Sequence, residues 1–316
     1  MATKHKPKSA SSGASIAKEV IARRKLALAR RARIVAARGK GLRLTMPAAG
    51  AKGAQTFGAT QALGHLVAVG DSWFDYPFHD VLTLLDDDYG YRVESSAHAG
   101  DAIEAMAYNR GGQLEKLARC FEKVSALGAV PKAVLLSGGG DDIAGDEFGM
   151  LLNNANSSIA GWNSEVVDGV INERIATAYR TVLDAIAVLS RHYAGDTLPV
   201  LIHGYDYAVP DGRGLLGGWG PLPGPWLQPG FAEKQFAGLP QNTAMVQDLI
   251  DRFNTMLQTL AGKPEYQYVH YIDLRGTLSN SLRADYYKAW WANELHPEKK
   301  GFDAVTARFA KVLDGL

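Results

Sequence analysis

The sequence predicts an α/β fold, a five-stranded parallel sheet with helices on both faces in a three-layer α/β/α arrangement. Five short, largely apolar runs near 65–70, 91–96, 132–137, 198–205 and 267–273 have the length and composition of strands. Helical patterns near 78–87, 102–125, 172–193, 242–261 and 302–313 alternate with them. Alternation with right-handed crossovers makes successive strands parallel and puts helices on both sheet faces. No internal repeat is visible.

With 316 residues, 47% of them hydrophobic, the chain can bury a full core, and residues 65–316 fit one large domain. The net charge of +1 conceals a division: residues 1–64 carry fourteen Lys and Arg against the single acid Glu19, and the remainder is acidic at −12. Residues 1–64 therefore read as a basic N-terminal arm. Its first fifteen residues, rich in Lys, Ser, Ala and Gly, are expected to be disordered, and a mobile basic helix is expected over 15–37. The same electrostatics suit contact with an anionic membrane surface, nucleic acid or a targeting role, and a plain solvated helix accounts for the composition as well. Arg interrupts every apolar run, which fits a secretory signal poorly. No stretch of about 18 uncharged apolar residues exists, so the expectation is a soluble protein, cytoplasmic by default.

Along the body, the first strand, His65-Leu66-Val67-Ala68-Val69, runs directly into Gly70-Asp71-Ser72-Trp73. A serine at the carboxyl end of a buried parallel strand stands where open α/β sheets bind ligands, which is a place for a nucleophile. A bare strand-to-helix turn has the same composition. The second strand, Tyr91-Arg92-Val93-Glu94, leads to Ser95-Ser96-Ala97-His98-Ala99-Gly100-Asp101. In the helix that follows, Cys120 is the single cysteine; it forms no internal disulfide and suits a buried apolar position. The third strand, Lys132 to Ser137, ends in Gly138-Gly139-Gly140-Asp141-Asp142. Residues 210–240 break the pattern with many Gly and Pro around Trp219, Trp226 and Phe231, and read as a substrate-facing lid or as an irregular insertion packed on the body. After the last strand comes the polar loop Asn293-Glu294-Leu295-His296-Pro297, then the final helix. His98, His203 and His270 lie in or beside apolar segments and read as structural. No zinc pattern or calcium loop is present, so no metal and no cofactor is expected.

Over residues 65–316 these segments resemble the SGNH, or GDSL-type, hydrolase superfamily, with Gly70-Asp71-Ser72, the Gly100 segment, Gly139-Gly140-Asp141-Asp142 and His296-Pro297 in the family's order. The resemblance implies a flavodoxin-like fold and ester hydrolysis through an acyl-enzyme on Ser72, with His296 as general base. It also implies an oxyanion hole from the backbone N–H groups of Ser72 and Gly100 and a third donor at position 141. Asp71, Trp73, Asp142, Trp219 and Trp226 are expected around a small-molecule, lipid or glycan ester. Trp73, Phe74, Tyr76 and Phe78 would add apolar wall.

Two positions depart from the family. Its third oxyanion donor is an asparagine, where this chain has Asp141, and an ionised carboxylate accepts hydrogen bonds without donating any. Its histidine is oriented by an aspartate, where this chain has Asn293. Protonation of Asp141 by burial, or orientation of His296 by a backbone carbonyl or by Glu294, would restore the machinery; so would a register one residue different. The alternative is a catalytically silent module that binds an acylated or glycan ligand.

Overall fold

The computed structural model describes residues 13–39, 62–77, 79–217 and 222–316. The expectations for residues 1–12 and 40–61, for Phe78 and for Trp219 lie outside the described residues. Five strands, β1 (Gly64–Val69), β2 (Tyr91–Ser95), β3 (Pro131–Leu136), β6 (Val200–His203) and β7 (Val269–Ile272), form one parallel sheet in the order β2-β1-β3-β6-β7. The short strands β4 (Leu152–Asn153) and β5 (Gly161–Trp162) make a separate antiparallel hairpin. Leu66–Val69, Ala133–Leu136 and Val200–Ile202 are fully buried, as continuous apolar runs in a doubly covered parallel sheet must be.

Nine helices are described: α1 (Gly13–Gly39), α2 (Val81–Asp87), α3 (Ile103–Tyr108), α4 (Gln113–Ala126), α5 (Ser164–Asp168), α6 (Ala176–Ala194), α7 (Gln228–Glu233), α8 (Leu239–Ala261) and α9 (Lys299–Asp314). α2 packs with α9, while α4 and α8 pack with α6, which gives the two outer layers. Counting only the large sheet, the strand order is that of the flavodoxin-like doubly wound fold. The order reverses between β1 and β3, and the crevice beyond their carboxyl ends is where such sheets bind ligands. Val69 pairs with Leu136, so the turns at Gly70–Ser72 and Ser137–Asp142 leave the sheet side by side.

Three elements differ from the sequence reading. The helix expected over 102–125 is two, because Asn109 turns extended and Gly111 takes φ +73°, which a glycine adopts without strain. The Gly/Pro-rich segment contains α7, whose Pro229 occupies the first helical turn, where no N–H is needed. The basic helix is docked at its N-terminal end. Ala17 and Val20 are buried, Arg24 makes a two-pronged ion pair with Glu122 (3.0 and 2.6 Å), and Arg23 donates to Glu115 at 3.2 Å. From Lys25 to Arg30 the side chains are exposed. No helix among the described residues is long and apolar enough to cross a membrane.

Because Val20 is sealed against the body, a charged carboxylate cannot remain buried there, so Val20→Asp should release α1. The expected result is much faster tryptic cleavage at Arg23 and Arg24 with the body's own unfolding transition retained; unchanged cleavage contradicts the docking.

Candidate active site

The turn after β1 is held rigidly from behind. Gly70 sits where a Cβ would lie 2.9 Å from both Phe74 and Ser137, so only glycine lets the strand end approach β3 this closely. Gln113, placed by the break between α3 and α4, accepts the Gly70 N–H (2.9 Å) and donates to the Gly70 carbonyl (2.8 Å) and to Asp101 (2.6 Å). Asp71 accepts the Trp73 N–H at 3.0 Å and the Ser137 hydroxyl at 2.6 Å on one oxygen, and the Tyr205 hydroxyl on the other. Ser137 Oγ lies 2.9 Å from Nε2 of fully buried His203, whose Nδ1 donates to the Gly204 carbonyl at 2.8 Å.

Ser72, projecting from this turn, has its Oγ 2.7 Å from His296 Nε2. His296 Nδ1 is 3.0 Å from Asn293 Oδ1, which also accepts the backbone N–H groups of Leu295 (3.0 Å) and His296 (2.9 Å). Two backbone donors at one atom require an oxygen there, so the amide cannot flip, and Nδ1 must carry the proton. That leaves the Nε2 lone pair facing the Ser72 hydroxyl. Glu294 makes no part of this contact. Tyr76 stacks on the His296 ring (4.4 Å between centroids, 20° between planes), its hydroxyl accepts from Asn293 Nδ2 at 3.2 Å, and Trp226 meets the ring edge-on at 5.6 Å. Burial under these rings pushes His296 down to about 3, so the imidazole is neutral throughout the ordinary pH range.

The turn after β3 faces Ser72 across the crevice. Asp141 lines the same cavity as Ser72, and among the described residues its carboxyl makes no hydrogen bond. Burial, reinforced by the charges of Asp71, Asp142 and Asp101, pushes it up to about 8, so that it is mostly protonated at pH 7 and able to donate. Tyr205 joins the two turns, since its hydroxyl donates to Asp71 and accepts the Gly140 N–H at 3.1 Å.

Not every residue singled out by the sequence reaches the crevice. Asp142, expected at the substrate, is buried and caps α3 instead, accepting the N–H groups of Ile103 (2.7 Å) and Glu104 (3.2 Å). Asp71 borders the cavity, but both its oxygens are taken by the protein, which makes it a positioning group. Trp73 lines the cavity and donates Nε1 to the Leu295 carbonyl at 3.0 Å. Gly100, with φ +84°, lies on the exposed turn after β2 and is not among the cavity-lining residues. That turn is pinned by the His98 N–H to the Gly70 carbonyl (2.9 Å) and the Ala99 N–H to Asp75 (3.0 Å). Trp226 touches His296 rather than lining the cavity. Gln113, Ser137 and Tyr205 escape sequence reasoning because the contacts that matter are 43 to 134 residues away in the chain.

The segment read as a lid is clamped at its base. Glu294, fully buried, accepts backbone N–H groups of Gly212 (2.9 Å), Trp226 (2.6 Å), Leu227 (2.7 Å) and Gln228 (3.1 Å). Burial raises its carboxyl, while those four donors hold it down. Arg213 adds bonds to the carbonyls of Trp291 (2.9 Å) and Ala292 (3.1 Å).

No family model matches the chain, and no curated protein matches it. Among solved structures it is similar to a variant of an acetylxylan esterase from Geobacillus stearothermophilus, at 14% identity over 80% of this chain and 94% of that one, with a TM-score of 0.41. It is also similar to a protein assigned to the SGNH hydrolases from Slackia heliotrinireducens (10% identity, 78% and 97% coverage, TM-score 0.43). A third is a protein assigned as an acylhydrolase from Bacteroides fragilis (13%, 80% and 87%, TM-score 0.40).

Removing the clamp tests the architecture. Glu294→Ala strands the buried Leu227 N–H and three half-buried ones, and the expected loss is about 1–3 kcal/mol of unfolding free energy for the buried group, with less from those that water can reach. Denaturant titration reads it, and a loss under 1 kcal/mol contradicts the clamp.

Proposed function

We propose that the protein is a serine-dependent carboxylic ester hydrolase. The observation that carries this reading is the single hydrogen-bonded line from Ser72 Oγ through His296 to Asn293, 2.7 and 3.0 Å long, opening on an apolar cavity. Ser72 Oγ forms a bond to the ester carbonyl carbon while its proton passes to His296 Nε2. The carbonyl oxygen becomes an oxyanion, to which neutral Asp141 donates its proton as a hydrogen bond alongside the Ser72 backbone N–H. Collapse breaks the bond to the alcohol oxygen, which takes the proton from His296. Water then repeats the sequence, giving its proton to His296 and its oxygen to the acyl carbon, and Ser72 leaves with the proton returned.

Asn293 holds Nδ1–H in place but brings no charge to stabilise the imidazolium that forms briefly. In serine-protease triads the change from Asp to Asn costs about 10⁴ in rate, largely through the wrong tautomer. Here the tautomer is secured, and what is forgone is the charge. Slow turnover is expected for that reason. A module that binds an acylated ligand without turnover is the alternative, and the same missing charge favours it.

A fluorophosphonate probe should label wild-type protein and not Ser72→Ala, and hydrolysis of p-nitrophenyl esters should vanish in the same variant. Neither labelling nor hydrolysis in the wild type sinks the enzyme reading.

The pH dependence is set by two groups. His296, with its pKa near 3, stays a base down to strongly acid pH, so kcat/KM should show no loss between pH 5 and 7 of the kind an ordinary histidine near 6.5 produces. Asp141 donates only while protonated, so activity should fall as pH rises through about 8. Asp141→Asn keeps a donor without the titration and should abolish that alkaline fall. Folded Asp141 retains its proton to about pH 8, against 3.8 for the ordinary carboxyl, so its contribution to stability is complete below 3.8 and is lost as pH rises towards 8. Asp141→Asn should accordingly be more stable than wild type at pH 8. An alkaline limb that survives in Asp141→Asn rules out the donor role.

A further inference from the structure

The cavity beside Ser72 leaves about 70 Å³ for the centres of water-sized groups and opens to solvent at its mouth. Its wall is made by Trp73, the 139–148 turn, Leu227 and one face of α8. On α8 the lining residues Val246, Leu249, Ile250 and Phe253 follow the spacing of a single helical face. Phe253 marks the end near the reacting centre, because a Cβ on Gly139 would lie 2.7 Å from its ring. Val246 lies seven residues back, about 10 Å along the helix axis.

Apart from Asp141, the carboxylates in this wall are occupied by the protein. Asp71 is held as described, and Asp206 accepts the N–H groups of Tyr207 (2.7 Å), Gly276 (2.8 Å) and Leu278 (2.5 Å). What a ligand meets beyond Ser72 and Asp141 is therefore mostly hydrocarbon, with Trp291, whose Nε1 has no hydrogen-bond partner among the described residues, also in the lining. Which half of the ester enters is decided by His296. The leaving oxygen must be protonated by Nε2, and His296 does not line the cavity; its ring lies instead against Tyr76 and Trp226. The alcohol must leave on that side, and the acyl group occupies the other.

Resting on the hydrolase reading above, we propose that this cavity is an acyl-chain site, that the substrate is an ester of an apolar acid several carbons long rather than an acetate, and that Val246 sets the length it accepts. Each methylene taken from water into such a wall is worth about 0.8 kcal/mol, or about fourfold in kcat/KM, until the cavity is full.

The test is kcat/KM for p-nitrophenyl esters from acetate to dodecanoate, with an acetate and a hexanoate series of different alcohols beside it, and fluorophosphonate labelling as the independent report on Ser72. The expected result is a rise of about fourfold per methylene over the first several carbons, then a plateau or fall, with little dependence on alcohol length. Val246→Phe should move the break to shorter acyl chains, and Ile250→Phe, at a half-buried position on the same face, should do likewise if the first variant folds poorly. Acetate preferred over longer chains, or a profile that follows alcohol length, overturns the acyl site while labelling of Ser72 leaves the hydrolase reading standing. Neither turnover nor labelling overturns both.

Discussion

Three strands of the sheet deliver their ends to one carboxylate. Asp71 receives the Trp73 N–H from the turn after β1, the Ser137 hydroxyl from the end of β3 and the Tyr205 hydroxyl from the end of β6. Parallel strands otherwise leave their carboxyl-end loops independent, each free to adopt its own angle. Joining them through a buried group fixes Ser72 relative to the 139–142 turn, the relation an oxyanion hole requires. The same charge then acts at a distance. After burial itself, Asp71 is the largest influence keeping the proton on Asp141. A structural network thus adds to burial in holding the proton on Asp141, which among the described residues makes no hydrogen bond.

This coupling bears on both departures from the SGNH pattern. A carboxyl that keeps its proton at neutral pH offers an O–H where the family offers an amide N–H, as neutral acids in apolar sites can. At the histidine the solution is geometric rather than electrostatic. The backbone N–H groups of Leu295 and His296 converge on Asn293 Oδ1, and the tight loop that aims them is closed by the Ala292 N–H to the His296 carbonyl at 2.9 Å. The amide oxygen presented to Nδ1 is the same acceptor a carboxylate would present, lacking only its charge. A neutral partner and a ring buried under Tyr76 and Trp226 together give a histidine that is always ready as a base and holds a proton weakly. In the proposed ester hydrolysis, proton return to the leaving alcohol would be correspondingly easy, and proton abstraction the harder half of the cycle.

The strands were legible because a doubly covered parallel sheet demands continuous apolar runs, and those runs stand out in this chain. So was the placement of Ser72, Asp141, Asn293 and His296, because strand-end turns and the final loop lie next to recognisable patterns. What the sequence concealed are contacts between distant segments. Nothing local distinguishes Asp142, a cap on α3, from its neighbour Asp141, which faces the cavity; one residue of register separates them. Gln113 reads as an ordinary mid-helix residue of 102–125 until α3 and α4 separate at Gly111. The basic helix lacks a clean apolar stripe: among its described side chains the buried ones, Ala17 and Val20, lie at its N-terminal end and Lys25 to Arg30 are exposed, so a periodicity summed along it is diluted.

Glu294 shows how closely the insertion and the chemistry are linked. It stands two residues before His296 and one after Asn293, so the carboxylate that gathers the backbone at Gly212 and 226–228 belongs to the loop that sets the histidine. Any displacement of the described base of the insertion would pull on that loop, and four backbone N–H groups would lose their acceptor. A segment tied in this way is poorly suited to swing open as a lid during turnover. Trp226, whose own N–H donates to Glu294, is held edge-on against His296 by the same clamp. The Gly/Pro-rich composition therefore serves shape more than motion, folding a long connection back over the histidine so that its ring is dry. In the proposed hydrolase, selection among substrates would then fall to the wall on α8, where side-chain size can set what fits.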